Sequence, residues 1–240
     1  YALGIAKAAI SAGAKIFENT PALSYKVNDD HVKVIIKDGS IKADRVVLAC
    51  NGYLGNFEKS LTSKILPMNN YIIATKPLDD ETVQKINPKD IAFADSRFVI
   101  NYFRMSADKR LLFGGGENYS QELSNNIIPI VTKPLEKIYP FLKGIKIDYA
   151  WGGKLAITMN RLPFFTTLHN EKVISAQGYS GQGVALASYS GKLVSEKIAG
   201  NGETFDIMAK IPRQSFPGGR FLRNPSMKLG MLYYSLMDRL

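Results

Sequence analysis

One segment constrains the fold more than any other: residues 172–200, KVISAQGYSGQGVALASYSGKLVSEKIAG. It reads as a short strand over 173–176, a glycine loop through Gly178, Gly181 and Gly183, and a helix from Val184 to about Ala199. Glycine lets the backbone approach a ligand where a Cβ would clash. A loop that feeds a helix N-terminus presents free N–H groups and the positive end of the helix dipole. That combination suits anionic or electron-rich ligand groups. It also suits a plain connection between a strand and a packed helix, and spacing alone leaves both readings open.

The order of the glycines is informative. Gly178-Tyr-Ser-Gly181-Gln-Gly183 runs G-x-x-G-x-G. The dinucleotide fingerprint runs G-x-G-x-x-G at the first strand–helix turn of a βαβ unit. No βαβ pattern follows residue 200, so this loop is not expected to hold a pyrophosphate.

A chain of 240 residues with 45% hydrophobic residues can bury a sizeable core. No run approaches the roughly 20 apolar residues of a membrane span. No basic stretch followed by an apolar one precedes Tyr1, so no signal peptide is expected. The single cysteine, Cys50, cannot form an internal disulfide and fits a reducing, cytoplasmic setting. No His/Cys cluster has metal-ligand spacing; His31 and His169 sit in polar contexts and are expected to be exposed. The net charge of +10 comes from scattered lysines plus a basic tail at Arg213, Arg220, Arg223 and Lys228. Without a basic face carrying interleaved aromatics, a nucleic-acid partner is not expected.

Along the chain, residues 1–14 read as a helix stopped by Gly13. No N-cap precedes it, and the sequence is expected to begin inside a domain. A strand over 15–27, broken at Thr20-Pro21, comes next. Two β-rich runs, 31–37 and 41–48, flank Asp38-Gly39, a hairpin signal. Val46-Val47-Leu48 is continuously apolar, as in a strand buried on both faces. Strands are expected at 68–75, 98–105 and 110–114, with a turn at 107–109. A helix is expected between Pro134 and Pro140, and a strand over 146–154 carrying Trp151. A polar break at 201–203 leads into a tail whose residues 226–240 read as an amphipathic helix (Leu229, Leu232, Tyr233, Leu236, Leu240). That helix is expected to pack on the body; membrane contact is its alternative.

These motifs occur in a specific order: ENTPALSYKV, ADRVVLACNGY, LPMNNYIIATKPL, INYFRMSADKRLLFGGG, IDYAWGGKLAITMNRLPFF and ISAQGYSGQGVALASYSGKLVSEKIAG. In that order the chain resembles the FAD-dependent D-amino-acid-oxidase-type superfamily, and within it the gamma-glutamylputrescine oxidoreductase branch, to which the tail IPRQSFPGGRFLRNP is also similar. The resemblance implies an α/β (α+β) fold. A partial FAD-binding Rossmann-like domain (1–66 and 148–200) would carry an inserted, mostly antiparallel β-sheet substrate domain (67–147) and a tail (201–240). Family members begin with a G-x-G-x-x-G unit that this sequence lacks.

The resemblance also implies roles. Ala22 matches the position whose backbone meets the adenine, and Ala49, Asn51 and Gly52 pass near the cofactor. Gly178, Tyr179, Ser180, Gly181, Gln182, Gly183, Val184 and Ala185 match the flavin-contacting loop. Tyr102 matches a position that faces substrate over the flavin, and Lys154 is a candidate catalytic lysine. The carboxylate-clamping arginine that follows W-x-G in glycine oxidases is absent after Trp151-Gly152-Gly153. Lys154 is only a point charge in its place, and Arg161 is the other candidate. No cysteine lies in the C-terminal region, so the FAD is expected to be noncovalent and Cys50 a packed thiol. The implied activity is oxidation of an amine, with a gamma-glutamylputrescine-like compound expected and α-amino acids disfavoured. Another oxidase or dehydrogenase of the superfamily, or a non-catalytic interaction domain, are the alternatives. The oligomeric state is left open, and this piece alone is expected to be inactive.

Overall fold

The computed structural model describes residues 1–97, 100–115 and 122–219, together with 222, 225, 226, 228–230 and 233. Helix α1 spans Ala2–Ser11, and Gly13 follows it at φ +95°. Strands β1 (Ser24–Val27), β2 (Val32–Ile36) and β3 (Gly39–Ala43) form an antiparallel sheet in that order. The hairpin closes where Ile36 pairs with Gly39 across Lys37-Asp38.

Two strand expectations are corrected here. The segment 15–27 becomes a strand only at Ser24, because Asn19 at φ +54° and Pro21 turn the chain first. The run 41–48 is two strands. β3 ends at Ala43, and β4 (Val46–Leu48) joins a different sheet ordered β10-β11-β4, with β10 at Phe164–Leu168 and β11 at Val173–Gln177. All five residues of β11 are buried, as an apolar central strand requires.

A 3-10 turn at Asn51–Tyr53 leads to α2 (Lys59–Thr62) and then to the ten-residue strand β5 (Leu66–Thr75). Helix α3 (Asp80–Ile86) starts on Asp79, whose Oδ1 accepts the Thr82 N–H at 2.8 Å. Aspartate is among the favoured N-cap residues, and Asp79 was not singled out in the sequence. Strands β6 (Phe93–Ala94), β7 (Tyr102–Met105), β8 (Leu111–Gly114) and β9 (Ile147–Ile157) join β5 in an antiparallel sheet ordered β6-β7-β8-β5-β9. Residues 98 and 99 of the expected strand 98–105 lie outside the described residues.

Helix α4 runs over Ile128–Ile138, so the helix expected between Pro134 and Pro140 begins earlier and contains Pro134. Pro129 sits in its first turn, where a missing N–H costs nothing. Val131 and Leu135, one turn apart, are fully buried and hold the helix despite Pro134. They meet Tyr71, Ile73, Leu111 and Phe113 from one face of the five-stranded sheet, forming the main hydrophobic core. Phe103 stacks on Phe113 with ring centroids 5.4 Å apart. Helices α5 (Gly183–Ile198) and α6 (Glu203–Lys210) complete the named elements.

The chain divides into two units, residues 1–48 with 167–174, and residues 49–166 with 175–240. In the first, helix α1 buries no residue, and Val32, Leu48, Val173 and Ile174 are the buried apolar side chains. The second contains the main core. Of the expected amphipathic tail, Leu229 and Tyr233 are exposed, while 232, 236 and 240 lie outside the described residues. Among the described residues no helix is long and apolar enough to cross a membrane, and no cluster of metal-ligating side chains occurs.

Candidate functional site

The glycine loop is built by backbone geometry. Gly178, Ser180 and Gly181 all have positive φ, at +75°, +51° and +96°. A Cβ on Gly178 would lie 2.6 Å from Thr158 Cγ2, whereas Gly181 faces open space. The loop thus packs at its start and lies open at its end, where the N–H groups of α5 begin. No side chain caps α5: Gln182 occupies the N-cap position without a side-chain bond, and Val184 is 75% exposed. An uncapped, exposed helix N-terminus leaves donors and a positive dipole end free.

The loop is stitched to the end of β9. The Ser180 N–H donates to the Ala156 carbonyl at 2.9 Å, and the Thr158 N–H donates to Ser180 Oγ at 3.3 Å. Tyr179 is buried and donates its hydroxyl to the Ala176 carbonyl at 2.8 Å. Gln177, fully buried, donates to Ser175 Oγ, but its own Oε1 has no partner. Neither buried polar residue was singled out in the sequence. Ser-x-Gln on an otherwise apolar strand was the available signal.

Asn51, with φ +50°, points Oδ1 at the Gly178 N–H at 3.1 Å and so ties the 3-10 turn to the loop. Next to it Gly52 presses against β9: an added Cβ would lie 2.4 Å from the Lys154 carbonyl oxygen. The Tyr53 hydroxyl accepts the Lys154 N–H at 3.1 Å. Together they seal an edge strand that would otherwise offer unpaired backbone groups. A small, open hollow lies against this turn, lined by Asn51, Gly52, Leu54, Gly55, Thr62, Ile65 and Pro67. Ala49 is exposed at the start of the turn, and Ala22 is exposed in the first unit.

The sheet separates the two expected catalytic residues. Register pairs Asn69 with Lys154 and Tyr71 with Gly152, on the face that carries the core. It pairs Tyr102 with Gly114, Gly114 with Ile72, and Ile72 with Trp151, on the other face. Side chains alternate along a strand, so Tyr102 and Lys154 project from opposite faces. Tyr102 shares its face with Met68, Asn70, Ile72, Trp151 and Leu155. That face is open: Trp151 is 45% exposed and Tyr149 60%. Leu155, an apolar side chain, stands on the same face. Arg161, the other candidate, is exposed at φ +61° in the turn after β9, and its N–H donates to the Thr158 carbonyl at 3.1 Å.

Burial pushes the Tyr102, Tyr139 and Tyr179 phenols above the usual tyrosine range. A pKa raised by folding favours the protonated form, so this stability is fully present below about pH 10 and lost as pH rises through the folded-state values. The urea midpoint is expected to fall above about pH 10. The fall should be shallower in a Tyr102→Phe/Tyr179→Phe double variant. Parallel curves for the two proteins would show that these phenols are not the cause.

Burial also raises the Cys50 thiol, which leaves it protonated and unreactive at neutral pH. His31, expected to be exposed, is partly buried, its ring nitrogens bonded to Asp30 Oδ1 at 2.6 Å and Asn28 Nδ2 at 3.0 Å.

The cradle fits the ring end of a flavin. An uncapped helix N-terminus can face the electron-rich pyrimidine edge, glycine at 181 leaves room for it, and a flat sheet face adjoins the same strand. No G-x-G-x-x-G loop occurs in the 240 residues to hold a pyrophosphate.

Comparison with known proteins shows the family. The family model for FAD dependent oxidoreductase (DAO) matches residues 1–197. The chain is 39% identical over 237 residues to probable oxidoreductase OrdL of Rhizobium meliloti (strain 1021), covering 99% of this chain and 55% of that protein. It is 36% identical over 240 residues to gamma-glutamylputrescine oxidoreductase of Escherichia coli (strain K12), covering 100% and 56%. It thus spans about half the length of these relatives. Among solved structures, L-proline dehydrogenase from P. horikoshii superposes with TM-score 0.64 at 22% identity, covering 82% of this chain and 54% of that one. Glycine oxidase from Geobacillus kaustophilus gives TM-score 0.63 at 19% identity, covering 81% and 52%.

Proposed function

Because the chain belongs to the family of FAD-dependent oxidoreductases, we propose that the whole protein oxidises an amine of the gamma-glutamylputrescine type. The observation that carries this reading is the uncapped α5 N-terminus, stitched by Ser180 to the strand whose open face bears Trp151 and Leu155. FAD, when bound, accepts the hydride equivalent from the carbon beside the amine nitrogen.

The chain's own residues supply position and field. The first N–H groups of α5, at Gly183, Val184 and Ala185, would stabilise negative charge that develops at the ring edge, without reorganising. Asn51 holds the loop at Gly178, so the helix start stays fixed. Tyr102, Trp151 and Leu155 form the surface over which substrate lies. Lys154 projects from the opposite face and is left out of this role. The division into FAD-binding segments (1–66, 148–200), substrate domain (67–147) and tail (201–240) is part of the same proposal.

Two features favour an amine with a remote carboxylate over an α-amino acid. Leu155 offers nothing to a carboxylate near the reacting centre. Arg104 lies on the Tyr102 face two residues further along β7, about 7 Å away. It is exposed and forms no ion pair with a described residue. Arg110, by contrast, is held by Asp108 and Asp148 at 2.7 and 2.6 Å.

The test is anaerobic mixing of the full-length, FAD-loaded protein with amines while the flavin absorbance is followed. Gamma-glutamylputrescine should bleach the flavin, and glycine should bleach it far more slowly. A flavin that stays oxidised with every amine and amino acid tried would overturn the reading and favour a non-catalytic role.

A further inference from the structure

Tyr102 is fixed on its sheet face more firmly than a half-exposed tyrosine needs to be. Its ring lies flat across Gly114: a Cβ there would come within 2.1 Å of Cζ, 2.3 Å of Cε2 and 2.5 Å of the hydroxyl oxygen. Only glycine opposite Tyr102 allows this pose. The hydroxyl then reaches past β8 to β5 and donates to Asn70 Oδ1 at 2.6 Å. Asn70 belongs to the same open face, paired with Gly153 on β9.

The direction of that hydrogen bond decides what the hydroxyl can recognise. A phenol has one proton and two lone pairs. With the proton committed to Asn70, the oxygen offers only acceptor sites to a ligand on the face. An amine or ammonium group, which donates, matches it. A carboxylate, which only accepts, meets lone pairs and is disfavoured. The neighbouring rows on β5 and β9 add no cation at this point, because Met68, Ile72, Trp151 and Leu155 are all uncharged; Arg104, the cation on this face, stands two residues along β7, about 7 Å away.

We infer that Asn70 is a positioning residue that makes Tyr102 a one-way acceptor, so that this point of the face selects an amine nitrogen over a carboxylate. The inference rests on the amine-oxidation reading, and it names the pair that recognises the reacting nitrogen and the glycine that lets it form.

The test separates binding from turnover. tert-Butylamine has no hydrogen on the carbon beside nitrogen and cannot be oxidised; pivalate is its carboxylate counterpart of the same shape. Each is titrated into the full-length, FAD-loaded protein, and the change in flavin absorbance gives a Kd. The wild type should bind tert-butylamine more tightly than pivalate. Tyr102→Phe and Asn70→Ala should each weaken the amine about tenfold, as loss of a hydrogen bond to a charged group does; pivalate should stay within about twofold in Tyr102→Phe and bind no more weakly in Asn70→Ala, which frees the phenol proton to donate. Asn70→Asp keeps the acceptor and should retain amine binding. An amine Kd unchanged in both Tyr102→Phe and Asn70→Ala, or equal losses for amine and carboxylate, would overturn the inference. The comparison is read whether or not any amine reduces the flavin. Reduction by amines with unaltered tert-butylamine binding in the variants sinks the inference alone, whereas absence of reduction sinks the oxidation reading.

Discussion

Replacing Gly52 by alanine is expected to destabilise the protein by on the order of 3 kcal/mol, the upper range for overpacking a closed contact. The new methyl would sit 2.4 Å from the Lys154 carbonyl oxygen, 2.8 Å from its carbon and 2.9 Å from the Leu155 oxygen. All three are backbone atoms of β9, so no side chain can rotate away. Relief requires either β9 to leave its long pairing with β5 or the 51–53 turn to swing out. The turn carries the Asn51 bond to Gly178 and the Tyr53 bond to Lys154, so swinging it out also breaks both. Gly153→Ala is the control. Its methyl would meet the Tyr53 hydroxyl at 3.6 Å, an ordinary contact, and its cost should stay within about 0.5 kcal/mol. Urea denaturation of both variants decides. A Gly52→Ala midpoint equal to that of Gly153→Ala would show that the close approach is absent in solution. In the full-length protein the same substitution should release FAD, because the loop loses its anchor.

The 240-residue chain by itself is expected to bind FAD at least about a thousandfold more weakly than the full-length protein, a loss on the order of 4 kcal/mol. The glycine loop and α5 address the ring. Phosphate binding by this family type depends on glycines at the start of a helix in a βαβ unit, and the sequence has no G-x-G-x-x-G. The surface points the same way. Leu3, Ile5 and Ile10 of α1, together with Ile16, Phe17 and Leu23, are exposed, a larger apolar display than a settled monomer surface usually carries. Isolated chain should therefore self-associate as well as fail to retain the cofactor. Equilibrium dialysis against FAD, with light scattering on the same samples, checks both. Stoichiometric, tight binding by the monomeric chain would refute the expectation.

Local features were the legible ones. The apolar run at 173–177, the glycines after it and the unbroken helix pattern of 183–198 depend on neighbours within a few residues. The strand, loop and helix therefore fell within one residue of their expected bounds. The hairpin around Asp38-Gly39 and the turn at 107–109 were readable for the same reason. Pro134 misled because proline is costly inside an isolated helix. In α4 that cost is offset by Val131 and Leu135 in the core, which no local pattern reveals. The run 41–48 misled because its two halves pair with different sheets, a decision made by partners far away in sequence.

The sequence by itself determined the order of strand, glycine loop and helix, the reversed glycine spacing, and the motif order that identifies the family. Tertiary structure decided which residues share a surface. Tyr102 and Lys154 are both strand residues, and nothing local tells their faces apart. Only the pairing register does, since a shift of one residue would exchange the faces of an entire strand. That register put Tyr102 with Asn70 and Leu155 on the open face, and Lys154 on the core side. It also set Gly114 opposite the Tyr102 ring, too close for a Cβ.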